Sequence, residues 1–247
     1  MFFKISTAPA WLGKVRPNPR KLTCDVSMIP ARLSRWFRYV APLAICKALA
    51  VICLLAVPAE ARTLKLIAIG DSLTHGFGVE QDKGFVPQLQ AWLRENGADV
   101  EVINMGVSGD TTEGGRARLG WALADGADAV IVELGGNDLL RGIDPARSRA
   151  NLDAILTDLS TRKIPVLLAG LSAPLNYGQD YKDAFEGMYT DLAAKHGTIL
   201  YPNFVAGLKG AKDVIQDDGI HPNAAGVAKI VADIGPKVLE LLARVGQ

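Results

Sequence analysis

The sequence predicts an α/β protein of three layers, α/β/α, built around a five-stranded parallel sheet. Three observations carry this. Apolar, β-branched runs of strand length recur five times after residue 62, amphipathic helical patterns separate several of them, and polar clusters stand just beyond the runs. Near-continuous apolar runs suit strands covered on both faces, and strands alternating with helices close right-handed βαβ units.

The first run is Leu64 to Ile69, and it stops at Gly70-Asp71-Ser72. A helical pattern follows over Phe85 to Asn96, with Phe85, Leu89, Trp92 and Leu93 on one face and Gly97 as its stop. The second run is Val100 to Asn104 and the third Ala129 to Leu134. Between them "SGDTTEGG" is a glycine-rich loop without the lysine of a phosphate-binding loop, which argues against nucleotide binding. Asn151 to Arg162 groups Leu152, Ile155, Leu156 and Leu159 as a second helix before the fourth run, Pro165 to Leu171. Tyr181 to Lys195 is a third helix, Thr198 to Tyr201 a short fifth strand, and Ala224 to Val245 a last helix broken at Gly235-Pro236. There is no internal repeat, and no linker divides residues 62 to 247.

The first 61 residues are of another kind. Arg32, Arg35 and Arg38 precede an apolar stretch whose uninterrupted part, Ala48 to Val57, has ten residues. A membrane-spanning helix needs about 20; the h-region of a secretory signal takes roughly 7–15. Ala59-Glu60-Ala61 is a small-x-small cleavage site, so the expected cut follows Ala61, leaving a domain over 62–247. An uncut N-terminal anchor is the alternative. Met28, which opens a signal of ordinary length over 28–61, competes with Met1 as the start. Cys24, Cys46 and Cys53 all lie in this leader, and neither Cys46 nor Cys53 follows the small residue a lipoprotein signal wants. The remainder therefore offers no disulfide and no thiolate. The leader holds nine of the 27 basic and two of the 26 acidic residues, which leaves 18 and 24, a net of −6 with histidine neutral. That balance disfavours nucleic acid as a partner, because such binding rests on cationic contacts to phosphates.

In open α/β sheets, ligands bind beyond the carboxyl ends of the strands. Four polar clusters fall there: "GDSL" at Ser72, "NMGVSGD" at Gly109, "GGND" at Asn137 and, near the end, "DDGIH" with Asp218 and His221. In this order they resemble the four blocks of the SGNH (GDSL) hydrolase superfamily. "VELGGNDLLRG" and "QDDGIHPN" look closest to its bacterial arylesterase, acyl-CoA thioesterase I and lysophospholipase branch. The resemblance implies a flavodoxin-like sheet and a serine ester hydrolase that needs no cofactor or metal. No His/Asp/Glu cluster has metal-ligand spacing. The implied substrates are short- to medium-chain acyl esters, aryl esters, thioesters or lysolipids. A carbohydrate O-acetyl esterase and a non-catalytic binding protein on the same fold are the competing readings.

The chemistry asks for these residue types. A serine hydroxyl attacks only when a base removes its proton, so Ser72 is either a capping residue or a nucleophile, and the downstream blocks select the nucleophile. The resemblance assigns the Ser72 N–H, the Gly109 N–H and the Asn137 amide to the oxyanion hole, where preorganised donors meet the developing charge. Among the three histidines, His75 has no carboxylate spaced to orient it, and His196 suits a helix C-terminus or the surface. His221 has Asp218 three residues earlier, a spacing that lets the carboxylate accept the Nδ1 proton and leaves Nε2 for the serine. Asp217 is the rival carboxylate; the family pattern selects Asp218. Asp71 and Asp110 resemble loop-bracing positions. "DLLRGI" and "LSAPLNYG" would shape an acyl pocket through Leu139, Leu140, Ile143, Pro174 and Leu175.

Overall fold

The structure is a computed structural model, and it describes residues 62 to 246. The leader, its cut after Ala61, the choice between Met1 and Met28, and the three cysteines lie outside the described residues.

Five parallel strands form one sheet: β1 Leu64–Gly70, β2 Val100–Gly106, β3 Ala129–Glu133, β4 Val166–Ala169 and β5 Ile199–Tyr201, in the order β2-β1-β3-β4-β5. This is the flavodoxin-like order, whose switch point lies between β1 and β3. Register places Gly70 of β1 opposite both Gly106 of β2 and Glu133 of β3, so three strand ends finish level on one edge. β3 is buried along its whole length, as is expected of a central strand.

The helices are α1 Ser72–His75, α2 Phe85–Glu95, α3 Thr112–Ala122, α4 Gly136–Leu140, α5 Pro145–Thr161, α6 Gln179–His196 and α7 Ala224–Leu242. The sheet grows one way from β1 to β2 and the other way from β3 onward. Right-handed crossovers therefore put α2 on one face and α3, α5 and α6 on the other. Packing agrees: α2 lies against α7, whereas α3 packs on α5 and α5 on α6. Leu66, Ile69, Ile131 and Leu167 from the sheet meet Leu89, Leu152, Phe185 and Ile234 from the layers in one core.

Three local expectations are corrected. "SGDTTEGG" is not all loop. Thr111 caps α3 through its side chain, which accepts from the Gly114 N–H, and the helix runs to Ala122. Its glycines hid the pattern, and Gly115 is there because a Cβ would sit 2.3 Å from Leu134 Cδ1. The helix read from Asn151 begins instead at Pro145. Asp144 accepts from the Ala146 N–H at 2.9 Å and Pro145 occupies the first turn, an Asp-Pro start signal present in the sequence. Finally, α7 is not broken at Gly235-Pro236. Gly235 lies so close to the Trp92 ring that a Cβ would come within 2.5 Å of it, and Ile234 and Val238 are fully buried on either side. Burial carries the helix across a proline that local preference would place at an end.

Candidate active site

The site forms where β1, β2 and β3 end. Asp71 caps the short α1, accepting from the Leu73 N–H at 2.9 Å. Ser72 is thus the first residue of a helical turn, a position whose N–H has no intrahelical acceptor. Its hydroxyl lies 2.8 Å from His221 Nε2, across 149 residues of sequence.

His221 comes from the loop before α7. Its Nδ1 lies 2.6 Å from Asp218 Oδ2, while the Ile220 and His221 N–H groups both donate to Asp218 Oδ1, at 2.9 and 3.0 Å. With Nδ1–H directed at the carboxylate, Nε2 is the acceptor for the Ser72 hydroxyl. These bonds from His221 and Ile220 hold the Asp218 carboxyl down at about 2, so it remains an anion wherever the imidazole titrates. Asp217 is exposed. The loop is fastened at both ends. Gln216 N–H donates to His221 O at 2.8 Å, and the Gln216 amide donates to Phe77 O and Pro222 O. The Phe77 ring leans on the imidazole, with centroids 4.7 Å apart.

Gly109 and Asn137 complete the edge. Gly109 has φ +87°, a conformation that favours glycine; its carbonyl accepts from Arg141 Nη2 at 2.9 Å. Among the described residues no acceptor takes its N–H. Asn137 follows a sharp turn at Gly135, φ +121°, where a Cβ would strike the Tyr189 hydroxyl. Asn137 Nδ2 donates to Asp71 Oδ2 at 3.2 Å, which leaves its second N–H for another acceptor. Ser72, Gly109, Asn137 and His221 line one cleft of about 310 Å³.

Leu139 and Leu140 line the same cleft, together with Phe77, Leu171, Val205 and Ile220. Ile143, Pro174 and Leu175, expected there from sequence, are not among its lining residues. Ile143 lends its carbonyl to the Tyr181 hydroxyl, and Leu175 is exposed on the 3₁₀ turn Leu175–Tyr177 that Pro174 precedes. A larger cleft, about 810 Å³, opens beside His75, Gln90 and Asn104. Its lining holds no nucleophile paired with a base. His75 turns from Ser72 to put Nδ1 3.2 Å from Gly106 O. His196 does end a helix, but its Nε2 lies 2.6 Å from Asp153 rather than free at the surface. Among the described residues no group of three or more His, Asp or Glu could hold a metal ion.

Several supports were not foreseen. Arg118 on α3 donates to Asp110 Oδ2 at 2.5 Å, Met105 O at 2.7 Å and Gly70 O at 2.9 Å, tying the ends of β1 and β2 to the loop carrying Gly109. Asp138, 1% exposed, accepts from Thr112 N–H, Thr112 Oγ1 and Ser148 Oγ, binding α4 to α3 and α5. Glu133, which lies unremarked within the third apolar run, is fully buried directly behind Asp71. Burial and the Asp71 charge push its carboxyl well above the usual range, and burial also raises Asp71.

A hydroxyl, an imidazole, a carboxylate and free amide hydrogens at the end of a flavodoxin-like sheet define a serine hydrolase type of site. The chain belongs to the GDSL-like lipase/acylhydrolase family, whose model matches residues 68–229, and it is a carboxylic ester hydrolase of the esterase/thioesterase kind. It is 39% identical to Esterase TesA of Pseudomonas aeruginosa over 184 residues, 74% of this chain and 92% of that protein. It is 36% identical to thioesterase 1/protease 1/lysophospholipase L1 of Escherichia coli K12 over 160 residues, 64% and 75% of the two chains. Among solved structures, AlinE4, an SGNH-hydrolase family esterase, superposes with a TM-score of 0.63 at 41% identity, covering 74% of this chain and 98% of the other.

Proposed function

We propose that Ser72, His221 and Asp218 form the catalytic relay and that the Ser72 N–H, the Gly109 N–H and the Asn137 amide form the oxyanion hole. The Ser72 Oγ to His221 Nε2 distance of 2.8 Å, backed by Asp218 at 2.6 Å, carries this reading. Ser72 Oγ attacks the acyl carbonyl as His221 Nε2 takes its proton. The oxyanion accepts from the three amides, and His221 returns the proton to the leaving oxygen or sulfur, releasing alcohol or thiol and leaving Ser72 acylated. Water, deprotonated by the same imidazole, then hydrolyses the acyl-enzyme.

The substrates are short- to medium-chain acyl esters, with thioesters and lysolipids as further members. The modest volume of the cleft and its leucine, valine and isoleucine lining support this, as do the names of the relatives. Release of p-nitrophenol from butyrate and octanoate esters should far exceed acetate release from acetylxylan; the opposite ratio would select a carbohydrate O-acetyl esterase. Ser72→Ala should lower kcat by about 10⁶, the scale at which serine relays act as a unit, while His75→Ala keeps most activity. A dead His75→Ala beside an active His221→Ala would reverse the base assignment.

The leader supports export to the periplasm or medium. N-terminal sequencing of the protein from a bacterial expression host should begin at Arg62; an intact Ala48 to Val57 segment on the product would instead identify an uncut anchor.

A further inference from the structure

Behind the proposed oxyanion donors lies a pair of acids, Asp71 and Glu133, that takes no part in the relay. Glu133 ends the central strand β3, opposite Gly70, and is fully buried. Its Oε2 accepts from Thr74 Oγ1 at 2.9 Å and, at 3.4 Å, from the Asp71 N–H, while Oε1 meets no donor among the described residues. Among the described residues no cation answers it. The neighbouring guanidinium, Arg118 on α3, goes to Gly70 O, Met105 O and Asp110. Tyr189 on α6 gives its hydroxyl to Leu134 O, and Asp138 on α4 is occupied by Thr112 and Ser148. Asp71 differs. Its carboxyl oxygens accept from the Leu73 N–H and from Asn137 Nδ2, and it faces His221.

Two carboxyls on buried neighbours, here linked through the Asp71 N–H at 3.4 Å from Glu133 Oε2, cannot both ionise at ordinary cost. We propose that Glu133 is a positioning residue that stays protonated and donates to Asp71, so that Asp71 keeps the single negative charge and holds the Asn137 amide in its oxyanion-binding orientation. Asp71 is the better place for the charge because it already has two N–H donors; Glu133, with one oxygen free of donors, is the better place for the proton. The raised titration of Glu133 agrees, with burial as its first cause, the Asp71 charge as its second and a side-chain hydrogen bond to Asp71 among the others. The arrangement serves catalysis in two ways. Asn137 has one hydrogen fixed by Asp71, which aims the other. A second anion beneath the oxyanion hole, which would oppose the charge that develops there, is avoided.

The inference rests on Asn137 being an oxyanion donor, and the test separates the two. Infrared difference spectra of wild type minus Glu133→Gln at pH 7 should show the carbonyl stretch of a protonated carboxyl, a readout that needs no turnover. Its absence would overturn the proposal even if Asn137→Ala proves crippled. In kinetics, Glu133→Gln keeps a donor toward Asp71 and should retain kcat within the same order of magnitude. Glu133→Leu should lose about tenfold or more in kcat with KM nearly unchanged, short of the 10²–10³ that deletion of an oxyanion donor costs. Equal losses in the Gln and Leu variants, or a Leu variant with full kcat, would also overturn it. If Asn137→Ala is harmless while the carboxyl band is present, the oxyanion assignment fails and the shared proton stands.

Discussion

At the scale of single residues, the site depends on which protons stay put. Asp218, held at about 2 by its bonds to His221 and Ile220, does not titrate on the acid side of any ordinary assay. Asp218 should therefore add no proton to the acid limb of kcat/KM, which is left to His221, in the form unable to accept from Ser72, and to Asp71, whose carboxyl burial raises. An acid limb unchanged in Asp71→Asn would leave His221 as its sole source. Ser72, Gly109 and Asn137 are marked in the sequence by short blocks just after apolar runs, and Asp218 and His221 by a block well past β5; the structure brings Ser72, Gly109, Asn137 and His221 to one cleft and Asp218 to His221. Glu133, Arg118 and Phe77 carry no such mark. A glutamate before the last residue of "AVIVEL" looks like a polar strand end, and only the level register of three strands shows that it is buried. The acyl pocket was half legible. Leu139 and Leu140 lie beside Asn137 in sequence and so in space, whereas Ile143, Pro174 and Leu175 depended on loop paths that spacing does not fix.

At the scale of elements, strand β3 carries a buried acid whose proton makes stability depend on pH. The folded protein holds Glu133 protonated well above 4.5, its value in an open chain. Between 4.5 and the raised value the native state binds more protons than the unfolded one, so this contribution is complete below 4.5 and is lost as pH rises. Glu133→Gln removes that dependence. Its melting temperature relative to that of wild type should climb from pH 5 to pH 8, on the order of 2–4 °C for each kcal/mol. A constant margin would mean that Glu133 does not titrate differently in the two states. The helix start at Asp144-Pro145, by comparison, was present in the sequence as capping chemistry, but apolar spacing alone put it at Asn151. The other two misread helices, α3 and α7, share a physical reason. At Gly115 and Gly235 neighbouring side chains occupy the space a Cβ would need, so packing decided what propensity alone argued against.

At the scale of the whole molecule, a parallel sheet with a single switch point gathers loops from four separate segments onto one edge, and this was legible as fold class because the five apolar runs and the polar clusters behind them agree. The cleft they enclose is about 310 Å³, at the lower end of the range of roughly 300–1,000 Å³ for small-molecule sites. Specificity constants across p-nitrophenyl esters should rise from acetate to octanoate and fall by palmitate. A profile still climbing at palmitate would require the rim near Leu140 and Ile220 to bind chain outside the cleft. The distance along the chain between the nucleophile and its base has a consequence in time. Ribosomes add about 5–20 residues each second, so the 149 residues from Ser72 to His221 take on the order of 7–30 s to make. Throughout that interval the nascent polypeptide has the serine of the proposed relay but not the histidine that would activate it, so on that reading it passes through its synthesis unable to attack esters around it.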